Sequence, residues 1–307
     1  MKIATRASYG ELLETELYKN QNVVVLDADL GNATKSISFK KVAPDRYFDM
    51  GISEQDMMST AAGLATCGKI PIVSTFAVFA AGRAFEQVRN SVAYPKLNVK
   101  IAATHAGITV GPDGGSHQAI EDIALMRSLP NMTVICPSDA VEAKAALMKA
   151  VEMNGPVYIR LGRAPVENIH TQDYEFDFTK GQVLREGEDV GIIATGIMVE
   201  KALQAAQELA KEGIQARVVN IAAIKPIDKE LIIETAKKTN YIVTAEEHSV
   251  IGGLGSAVSE VLVQNYPVKQ AMIGIKDTFG ESGSPEELLE KYGLTVEAII
   301  KAAKQNK

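Results

Sequence analysis

The sequence has few cysteines, no excess of positive charge and no long hydrophobic run, and each absence excludes a class of protein. Its two cysteines, Cys67 and Cys136, lie far apart and form no zinc-binding spacing. We expect both thiols to be free and buried, as a reducing compartment allows. The formal net charge of -6 argues against a nucleic-acid partner, because no basic surface is available to neutralise phosphates.

Membrane and nucleotide signals are also missing. No stretch reaches the roughly 18 apolar residues of a membrane-spanning helix, and the N-terminus has no signal-peptide core. We therefore expect a cytoplasmic protein without a membrane partner. The sequence contains no Walker phosphate loop and no dinucleotide fingerprint, and the glycine cluster at 252–255 is weak evidence for a nucleotide.

What the chain does contain is an alternation of short apolar runs and amphipathic segments. The runs are rich in β-branched residues, which predicts buried strands, and the segments between them have helical spacing. This alternation predicts an α/β fold with mainly parallel sheets that helices cover on both faces. In the first half, strands are predicted at 23–26, 70–73, 99–102, 133–135 and 157–159, and helices at 9–18, 56–65, 80–92, 118–126 and 140–151.

The length and a break in the pattern indicate two domains. A chain of 307 residues is longer than one hydrophobic core usually serves. A polar stretch without helical period separates two cycles of strands and helices. We predict a first domain at 1–165, a linker at 166–187 and a second domain at 188–307. In the second cycle, strands are predicted at 190–194, 216–219, 241–244 and 271–273, and helices at 198–211, 229–238, 254–263 and 285–290, with a last one to 304.

The first candidate functional residue is Glu54, in the segment Met-Gly-Ile-Ser-Glu-Gln-Asp-Met at 50–57. We expect a strand that ends at Asp49 and a helix that begins near Ser53, with Ser53 as its N-cap. Acidic first turns are common because the helix dipole favours them, so a purely structural role is one interpretation. The other is a carboxylate at the carboxyl end of a strand, where open α/β sheets bind ligands.

Two further segments follow predicted strands. Phe76 and Phe79 are three residues apart, so they would share a helix face, either as core or as a surface that stacks on a flat ring. The loop 105–118 contains four glycines, and we expect its backbone to approach a ligand closely. It also contains His105, Asp113 and His117, which suit proton transfer and anion recognition. The arginines that are candidates for an anion site are Arg6, Arg160 and Arg163.

Taken together, these segments resemble the second and third domains of thiamine diphosphate enzymes of the transketolase type. The resemblance covers nearly the whole chain and implies a pyrimidine-binding domain at 1–165 and a transketolase C-terminal domain at 188–307. In that second domain the resemblance implies a structural role for His248. The segments that carry it, in order, are Ala4-Thr5-Arg6, Asp27-Ala28-Asp29-Leu30, Gly51-Ile52-Ser53-Glu54, the loop 105–118, Arg127-Ser128-Leu129-Pro130-Asn131 and Pro137-Ser138-Asp139.

The resemblance implies that the cofactor is thiamine diphosphate and that this chain binds its pyrimidine. Glu54 would hydrogen-bond the ring nitrogen of the aminopyrimidine and so promote its imino form. Phe79 would stack on the pyrimidine, with Phe76 in the same pocket. The implied activity is the transfer of a two-carbon ketol unit from a ketose to an aldose, with sugar phosphates as substrates.

The resemblance also implies roles toward the substrate. His105 would lie near the C1 hydroxyl of the sugar and, with Glu54, would be catalytic. Asp113 would bind a sugar hydroxyl, and His117 would bind the distal phosphate together with two arginines. The implied substrate-binding residues are Arg6, Asp29, His105, Asp113, His117 and Arg163.

The sequence departs from the family pattern at two points. Ala33 stands where transketolases commonly have a phosphate-binding serine, and Thr34 is an adjacent hydroxyl that would be a substitute. The terminal group of the acceptor is therefore open between phosphate and sulfonate. The Gly-Asp-Gly motif that holds the diphosphate and its metal does not occur. We expect an N-terminal partner subunit that binds the diphosphate and the metal, Mg²⁺ or Ca²⁺, in an α2β2 assembly, and an inert chain without it.

Three alternatives remain at this point. The chain resembles in part the beta subunit of a 2-oxoacid dehydrogenase, which needs no sugar-binding groups, and in part a deoxyxylulose phosphate synthase, which is normally one chain. His105 and Asp113 favour a polyhydroxylated substrate. A non-catalytic paralogue is the third alternative, although it need not keep the whole set of candidate residues.

Overall fold

The two series of predicted strands form two separate sheets in the computed structural model, which describes residues 2–306 of the chain. A short two-stranded ribbon accompanies them. The strands are β1 (Lys2–Ala4), β2 (Val23–Asp27), β3 (Tyr47–Asp49), β4 (Ile70–Phe76), β5 (Lys100–Thr104), β6 (Thr133–Ile135), β7 (Val157–Arg160), β8 (Pro165–Glu167), β9 (Gln182–Arg185), β10 (Val190–Ala194), β11 (Ala216–Asn220), β12 (Ala223–Lys225), β13 (Tyr241–Ser249) and β14 (Lys269–Ile275).

Helices connect the strands and cover both sheets. The α-helices are α1 (Thr5–Thr15), α2 (Gly31–Thr34), α3 (Ile37–Val42), α4 (Glu54–Thr66), α5 (Phe85–Gln87), α6 (Asp122–Ser128), α7 (Ala140–Glu152), α8 (Met198–Lys211), α9 (Lys229–Thr239), α10 (Leu254–Asn265), α11 (Pro285–Lys291) and α12 (Val296–Ala303). Two π-helical turns, Phe79–Arg83 and Val88–Ala93, flank α5. The 3-10 turns are Leu17–Lys19, Pro44–Arg46, Ile108–Asp113 and Lys304–Asn306.

The first sheet has seven strands in the order β12-β6-β7-β5-β4-β2-β3. All neighbouring strands in it are parallel except β12, which is antiparallel to β6. Separate hydrophobic clusters cover the sheet, one around α4 and α6 and the other around α1 and α7. The parallel strands are buried on both faces. Because they run in the same direction, their carboxyl ends meet along one edge, where such sheets bind ligands.

The second sheet has five strands in the order β14-β13-β10-β11-β9, with only β9 antiparallel to its neighbour. The ribbon pairs β1 with β8. The predicted fold class, two mainly parallel α/β sheets, is confirmed. The predicted domain limits at 1–165, 166–187 and 188–307 stay a prediction. The interval 166–187 is less irregular than expected, because β9 lies in it, and β12 extends the first sheet from beyond it.

Other local predictions were wrong. Cys67 is exposed, because α4 ends at Thr66 and leaves this residue at the helix C-terminus, whereas Cys136 is buried as predicted. Ser53 occupies the N-cap position of α4, but its side chain makes no capping hydrogen bond. The helix predicted at 80–92 is interrupted by the two π-helical turns.

Within residues 2–306, no helix combines the length and apolar character needed to cross a bilayer.

Candidate active site

The predicted site segments follow strands that are neighbours in the first sheet. Asp29 follows β2, Phe76 ends β4, and His105 follows β5, and these three strands are adjacent in the order β5-β4-β2. Glu54 begins α4, which follows the edge strand β3. The parallel arrangement therefore brings most of the candidate residues to one edge of the sheet.

Glu54 is a buried carboxylate whose charge is balanced by Arg83. Its side chain is 2% exposed, and Nη1 of Arg83 lies 3.3 and 3.4 Å from its two carboxylate oxygens. The guanidinium of Arg83 also lies over the ring of Phe79, 4.8 Å from the ring centroid. Arg83 was not among the candidates from the sequence, although its position four residues after Phe79 would place it on the same helical face.

The two phenylalanines and two histidines form a continuous aromatic surface. The rings of Phe76 and Phe79 are nearly parallel, with centroids 5.9 Å apart. The ring of His105 stacks on Phe76 at 3.8 Å. His117 contacts both phenylalanines with an edge-on geometry, at 6.3 and 5.6 Å. Phe79 is only partly buried, so a flat ring can reach its side chain and stack on it, as the second interpretation of the two phenylalanines requires.

His105 faces Arg6 rather than a carboxylate. Its Nε2 lies 2.9 Å from Nη1 of Arg6, and its Nδ1 lies 2.9 Å from Oγ1 of Thr104. Burial, followed by the positive charges of Arg6 and Arg163, lowers the pKa of His105 to about 3. The imidazole is therefore neutral near pH 7, with Nε2 accepting from Arg6 and the Nδ1 proton donated to Thr104.

The two arginines line a cleft between the two halves of the chain. Burial and the nearby charge of Arg163 both lower the pKa of Arg6. Arg163 donates to the carbonyl of Val110 at 2.5 Å and pairs with Asp113 at 3.4 Å. The cleft has a volume of about 450 Å³, and Lys201 from the second half also lines it. Clustered cations in a partly buried cleft are suited to a phosphate or another oxyanion.

The arrangement of the histidines differs from the one that the resemblance implied. We expected His117 to join Arg6 and Arg163, but Arg6 contacts His105, and His117 lies against the phenylalanines. Asp113 pairs with Arg163 and so contacts the cluster of cations that lines the cleft. Asp29 is exposed at the end of β2, and its backbone N–H donates to Asp49, so it lies at the same edge without a side-chain contact to the cluster.

Two candidate residues from the sequence, Thr34 and Arg160, are buried and bond protein groups. The hydroxyl of Thr34 is buried and donates to Asp27 at 2.9 Å, so the hypothesis that it replaces the missing serine is wrong. Ala33 instead offers its backbone carbonyl, which accepts from Arg6 at 2.7 Å. Arg160 was a candidate for the anion site, but it is 5% exposed and pairs with Asp122 at 2.9 Å. Its Nε and Nη2 donate to protein groups and its side chain is buried, so that hypothesis is also wrong.

Two glycines of the loop 105–118 lie in close contact with the second half of the chain. A Cβ on Gly107 would lie 2.2 Å from the carboxyl carbon of Glu247, and one on Gly115 would lie 2.6 Å from the carbonyl oxygen of Gly280. Both contacts are with the second half of the chain. These glycines therefore let the two halves approach each other, and the expected approach of the loop backbone to a ligand stays a prediction.

His248 lies at the same junction and is fully buried. It accepts from the N–H of Ala124 at 3.3 Å, and its Nδ1 proton is donated to the carbonyl of Ser249 at 2.7 Å. Burial lowers its pKa to about 4, so it is neutral near pH 7. These contacts are those of the structural histidine that was predicted.

Comparison with known proteins shows to which family this chain belongs. A family model for the transketolase pyrimidine binding domain matches residues 1–167, and one for the transketolase C-terminal domain matches residues 179–299. The chain is 52% identical over 299 residues to a protein of Methanocaldococcus jannaschii described as a transketolase C-terminal section, with 96% of this chain and 94% of the relative covered. The chain belongs to the transketolase family.

Relatives of this transketolase chain include subunits of divided enzymes. It is 46% identical to the 6-deoxy-6-sulfo-D-fructose transketolase subunit SqwH of Clostridium sp. (strain MSTE9), with 97% of this chain and 92% of the relative covered. A solved structure titled "Split gene transketolase, inactive beta4 tetramer" matches with a TM-score of 0.93 and 58% identity, covering 99% of this chain and 98% of that one.

Membership of the transketolase family implies thiamine diphosphate, and the site fits the pyrimidine half of that cofactor. A buried carboxylate beside an aromatic ring, as Glu54 is beside Arg83 and Phe79, offers one charged acceptor and one stacking face. Both features suit a flat heteroaromatic ring whose ring nitrogen carries a proton, since a carboxylate only accepts hydrogen bonds. Within residues 2–306, no group of three or more His, Cys, Asp or Glu side chains is arranged to hold a metal ion.

Proposed function

We propose that this chain is the pyrimidine-binding subunit of a thiamine diphosphate-dependent transketolase, which transfers a two-carbon ketol unit from a ketose to an aldose. The observation that carries the proposal is the unbroken series of contacts from Glu54 through the aromatic surface to the arginines of the cleft. One end of this series suits a heteroaromatic ring and the other suits an anion, so a cofactor and an anionic sugar can be held side by side.

At the cofactor end, Glu54 would hold a proton at the ring nitrogen of the aminopyrimidine, and Phe76 and Phe79 would supply the pocket and its stacking face. When bound, thiamine diphosphate supplies the nucleophilic carbon and the electron sink for the two-carbon unit. The buried position of Glu54 keeps water away from its carboxyl group, which strengthens the hydrogen bond that orients the ring.

At the substrate end, we propose an exchange of the two histidine roles that the resemblance implied. His105 would bind the anionic end of the sugar with Arg6 and Arg163, because it contacts Arg6 directly. His117 would bind hydroxyls near the reacting carbons, because it lies beside the aromatic surface.

Two exposed aspartates complete the proposed substrate site. Asp113 would hold a sugar hydroxyl near Arg163, with which it pairs. Asp29 lies at the same edge of the sheet, and we propose that it contacts the substrate from the end of β2. Both carboxylates accept hydrogen bonds only, which suits the hydroxyls of a polyhydroxylated chain.

The anionic group of the substrate would be a phosphate or a sulfonate, since both are oxyanions that arginine binds. Ala33 provides no hydroxyl at this site, and its carbonyl already accepts from Arg6. A ligand oxyanion would therefore compete with this carbonyl for the Arg6 donors. A relative named for a sulfonated sugar supports keeping both groups as candidates.

We further propose that activity requires a separate N-terminal subunit, which binds the diphosphate and a divalent metal, Mg²⁺ or Ca²⁺, in an α2β2 assembly. Gly-Asp-Gly, the motif expected for that task, is absent from the sequence. Relatives of similar length are named as a section or a subunit of a transketolase, which supports the proposal. A cytoplasmic location fits the exposed, unpaired thiol of Cys67, which a reducing compartment preserves.

The test is ketol transfer by this chain after co-expression with a candidate N-terminal subunit. The assay contains thiamine diphosphate and Mg²⁺, with xylulose 5-phosphate and ribose 5-phosphate as the first substrate pair and 6-deoxy-6-sulfofructose as a second donor. We expect product only when both chains are present. Glu54→Ala should assemble normally and lose at least about 100-fold in turnover.

Two outcomes would overturn the proposal. A chain that is fully active alone would refute the need for a partner. A complex that binds thiamine diphosphate and decarboxylates a 2-oxoacid without ketol transfer would identify a 2-oxoacid dehydrogenase instead. A complex that transfers the unit from only one of the two donors would decide between phosphate and sulfonate.

A further inference from the structure

Arg83 lies in a π-helical turn between a buried carboxylate and an aromatic face. The turn Phe79–Arg83 follows β4 directly, so it lies at the ligand edge of the first sheet. Single π-helical turns are rare and occur frequently at functional sites. Here the turn places the Arg83 guanidinium over the Phe79 ring and within 3.4 Å of both Glu54 oxygens.

The pair is asymmetric in its exposure. The Glu54 side chain is 2% exposed, whereas the Arg83 side chain is 51% exposed. A buried carboxylate without a positive partner is costly, so Glu54 depends on Arg83 more than Arg83 depends on Glu54. The contact with Phe79 restricts the guanidinium to one side of the carboxylate, since a planar guanidinium prefers to stack on an aromatic face.

We propose that Arg83 is a positioning residue for Glu54, which balances the charge of its carboxylate and fixes its orientation toward the cofactor pocket. This inference rests on the proposed function, in which Glu54 holds the aminopyrimidine. Arg83 acts through Glu54, so its removal reduces cofactor affinity only while the carboxylate is present. A lysine at position 83 retains the charge and loses the planar stacking.

The first test needs neither cofactor nor partner. Melting temperatures of the free chain are compared for wild type, Arg83→Met, Glu54→Gln and the double variant. We expect Arg83→Met to lower the melting temperature by about 2–4 °C. The double variant should recover most of that loss, because the neutral amide needs no positive partner. Arg89→Met is the matched control, since Arg89 is exposed on the same segment and bonds the side chain of Asn90.

The second test measures the dissociation constant of thiamine diphosphate in the assembled two-subunit complex, by titration calorimetry in the presence of Mg²⁺. We expect Arg83→Met to weaken binding about 10-fold and Arg83→Lys to weaken it less than about 3-fold. In the Glu54→Gln background, Arg83→Met should have no further effect on the dissociation constant.

The outcomes separate this inference from the proposed function. Arg83→Met could lower the melting temperature and the cofactor affinity equally in the wild-type and Glu54→Gln backgrounds. Arg83 would then only support the local fold, and the positioning role would be refuted. Unchanged values in both tests would refute it as well. Failure of the wild-type complex to bind thiamine diphosphate would overturn the proposed function and the role toward the cofactor, while the free-chain melting temperatures would still decide whether Arg83 and Glu54 are coupled.

Discussion

Replacing Arg160 by Met should cost this chain a large part of its stability, because Arg160 forms a buried ion pair and also bonds the backbone of the second half. Its Nε lies 3.1 and 2.9 Å from the two oxygens of Asp122, which is fully buried. Its Nη2 donates to the carbonyls of Ala119 at 3.1 Å and of Glu247 at 2.9 Å. Glu247 belongs to β13 of the second sheet, so one guanidinium connects both sheets.

The size of the effect follows from what the substitution leaves behind. Arg160→Met leaves the Asp122 carboxylate buried with only Tyr158, which donates to it at 2.8 Å. Removing one partner of a buried ion pair typically costs about 3–5 kcal/mol of unfolding free energy. At about 2–4 °C per kcal/mol for chains of 150–250 residues, this corresponds to a fall of roughly 6–20 °C in melting temperature.

Urea unfolding and thermal melting of the isolated chain measure this effect directly. Arg163→Met is the control, because the Arg163 side chain is 35% exposed and pairs at 3.4 Å with an Asp113 side chain that is also 35% exposed. Such a pair is worth at most about 1 kcal/mol. Asp122→Asn combined with Arg160→Met should recover part of the loss, because no unpaired charge remains. A loss below about 1 kcal/mol for Arg160→Met alone would refute the reasoning.

The remaining predictions concern thiols, a buried lysine and the histidines. In the native chain one thiol, Cys67, should react rapidly with Ellman's reagent, because Cys136 is buried and burial raises its pKa to about 11; two fast thiols without denaturant would contradict the described burial. Burial lowers the pKa of Lys100 to about 7, so the unfolded chain binds more protons between pH 7 and its unfolded pKa of about 10.4. In urea unfolding, the free energy of unfolding of wild type minus that of Lys100→Met should therefore rise from pH 7 to pH 10. If this difference in free energy does not change with pH, the lysine stays charged. Under the proposed function, His105→Ala should raise KM for the anionic acceptor about 10-fold or more, whereas His117→Ala should mainly lower kcat. The reverse pattern in steady-state kinetics would restore the roles that the family resemblance implied.

The position of the site could be predicted from the sequence because it depends on strand order and strand ends. Each candidate segment follows a short apolar run, and parallel pairing of β2, β4 and β5 brings their ends together. Glu54 could be placed for the same reason, since a helix start after a strand is a local feature of the chain.

The path of the loop 105–118 could not be predicted, because it depends on contacts with the second half of the chain. The N–H of Thr109 donates to the Glu247 carboxylate at 2.7 Å, and Gln118 donates to the carbonyl of Glu281 at 2.9 Å. These contacts hold the middle and the end of the loop 105–118 against the second half. Residue spacing in the loop carries no information about a partner more than 100 positions away.

Sequence periodicity also failed where local geometry changes. The segment 80–92 has an α-helical pattern, yet π-helical turns at both ends of α5 alter which side chains share a face. Arg83 was missed because its importance comes from its contacts with Glu54 and Phe79, which residue type alone does not indicate. Thr34 was misjudged because its buried bond to Asp27 depends on the fold of the loop after β2.

The way in which the two halves are joined bears on how a partner subunit would complete the site. β12 is antiparallel to β6 at the edge of the first sheet, and Arg160 bonds the backbone of β13. Residues of both halves line the cleft that contains Arg6 and Arg163, and Lys201 comes from the second half. Under the proposed function, the subunit brings a formed anion site and a charge-balanced Glu54 to the assembly, and the partner has to add only the diphosphate end of the cofactor. Oxyanion binding to the free chain should consequently persist without the partner, and inorganic phosphate or sulfate that binds the assembled complex but not the free chain would show that the cleft forms only on assembly.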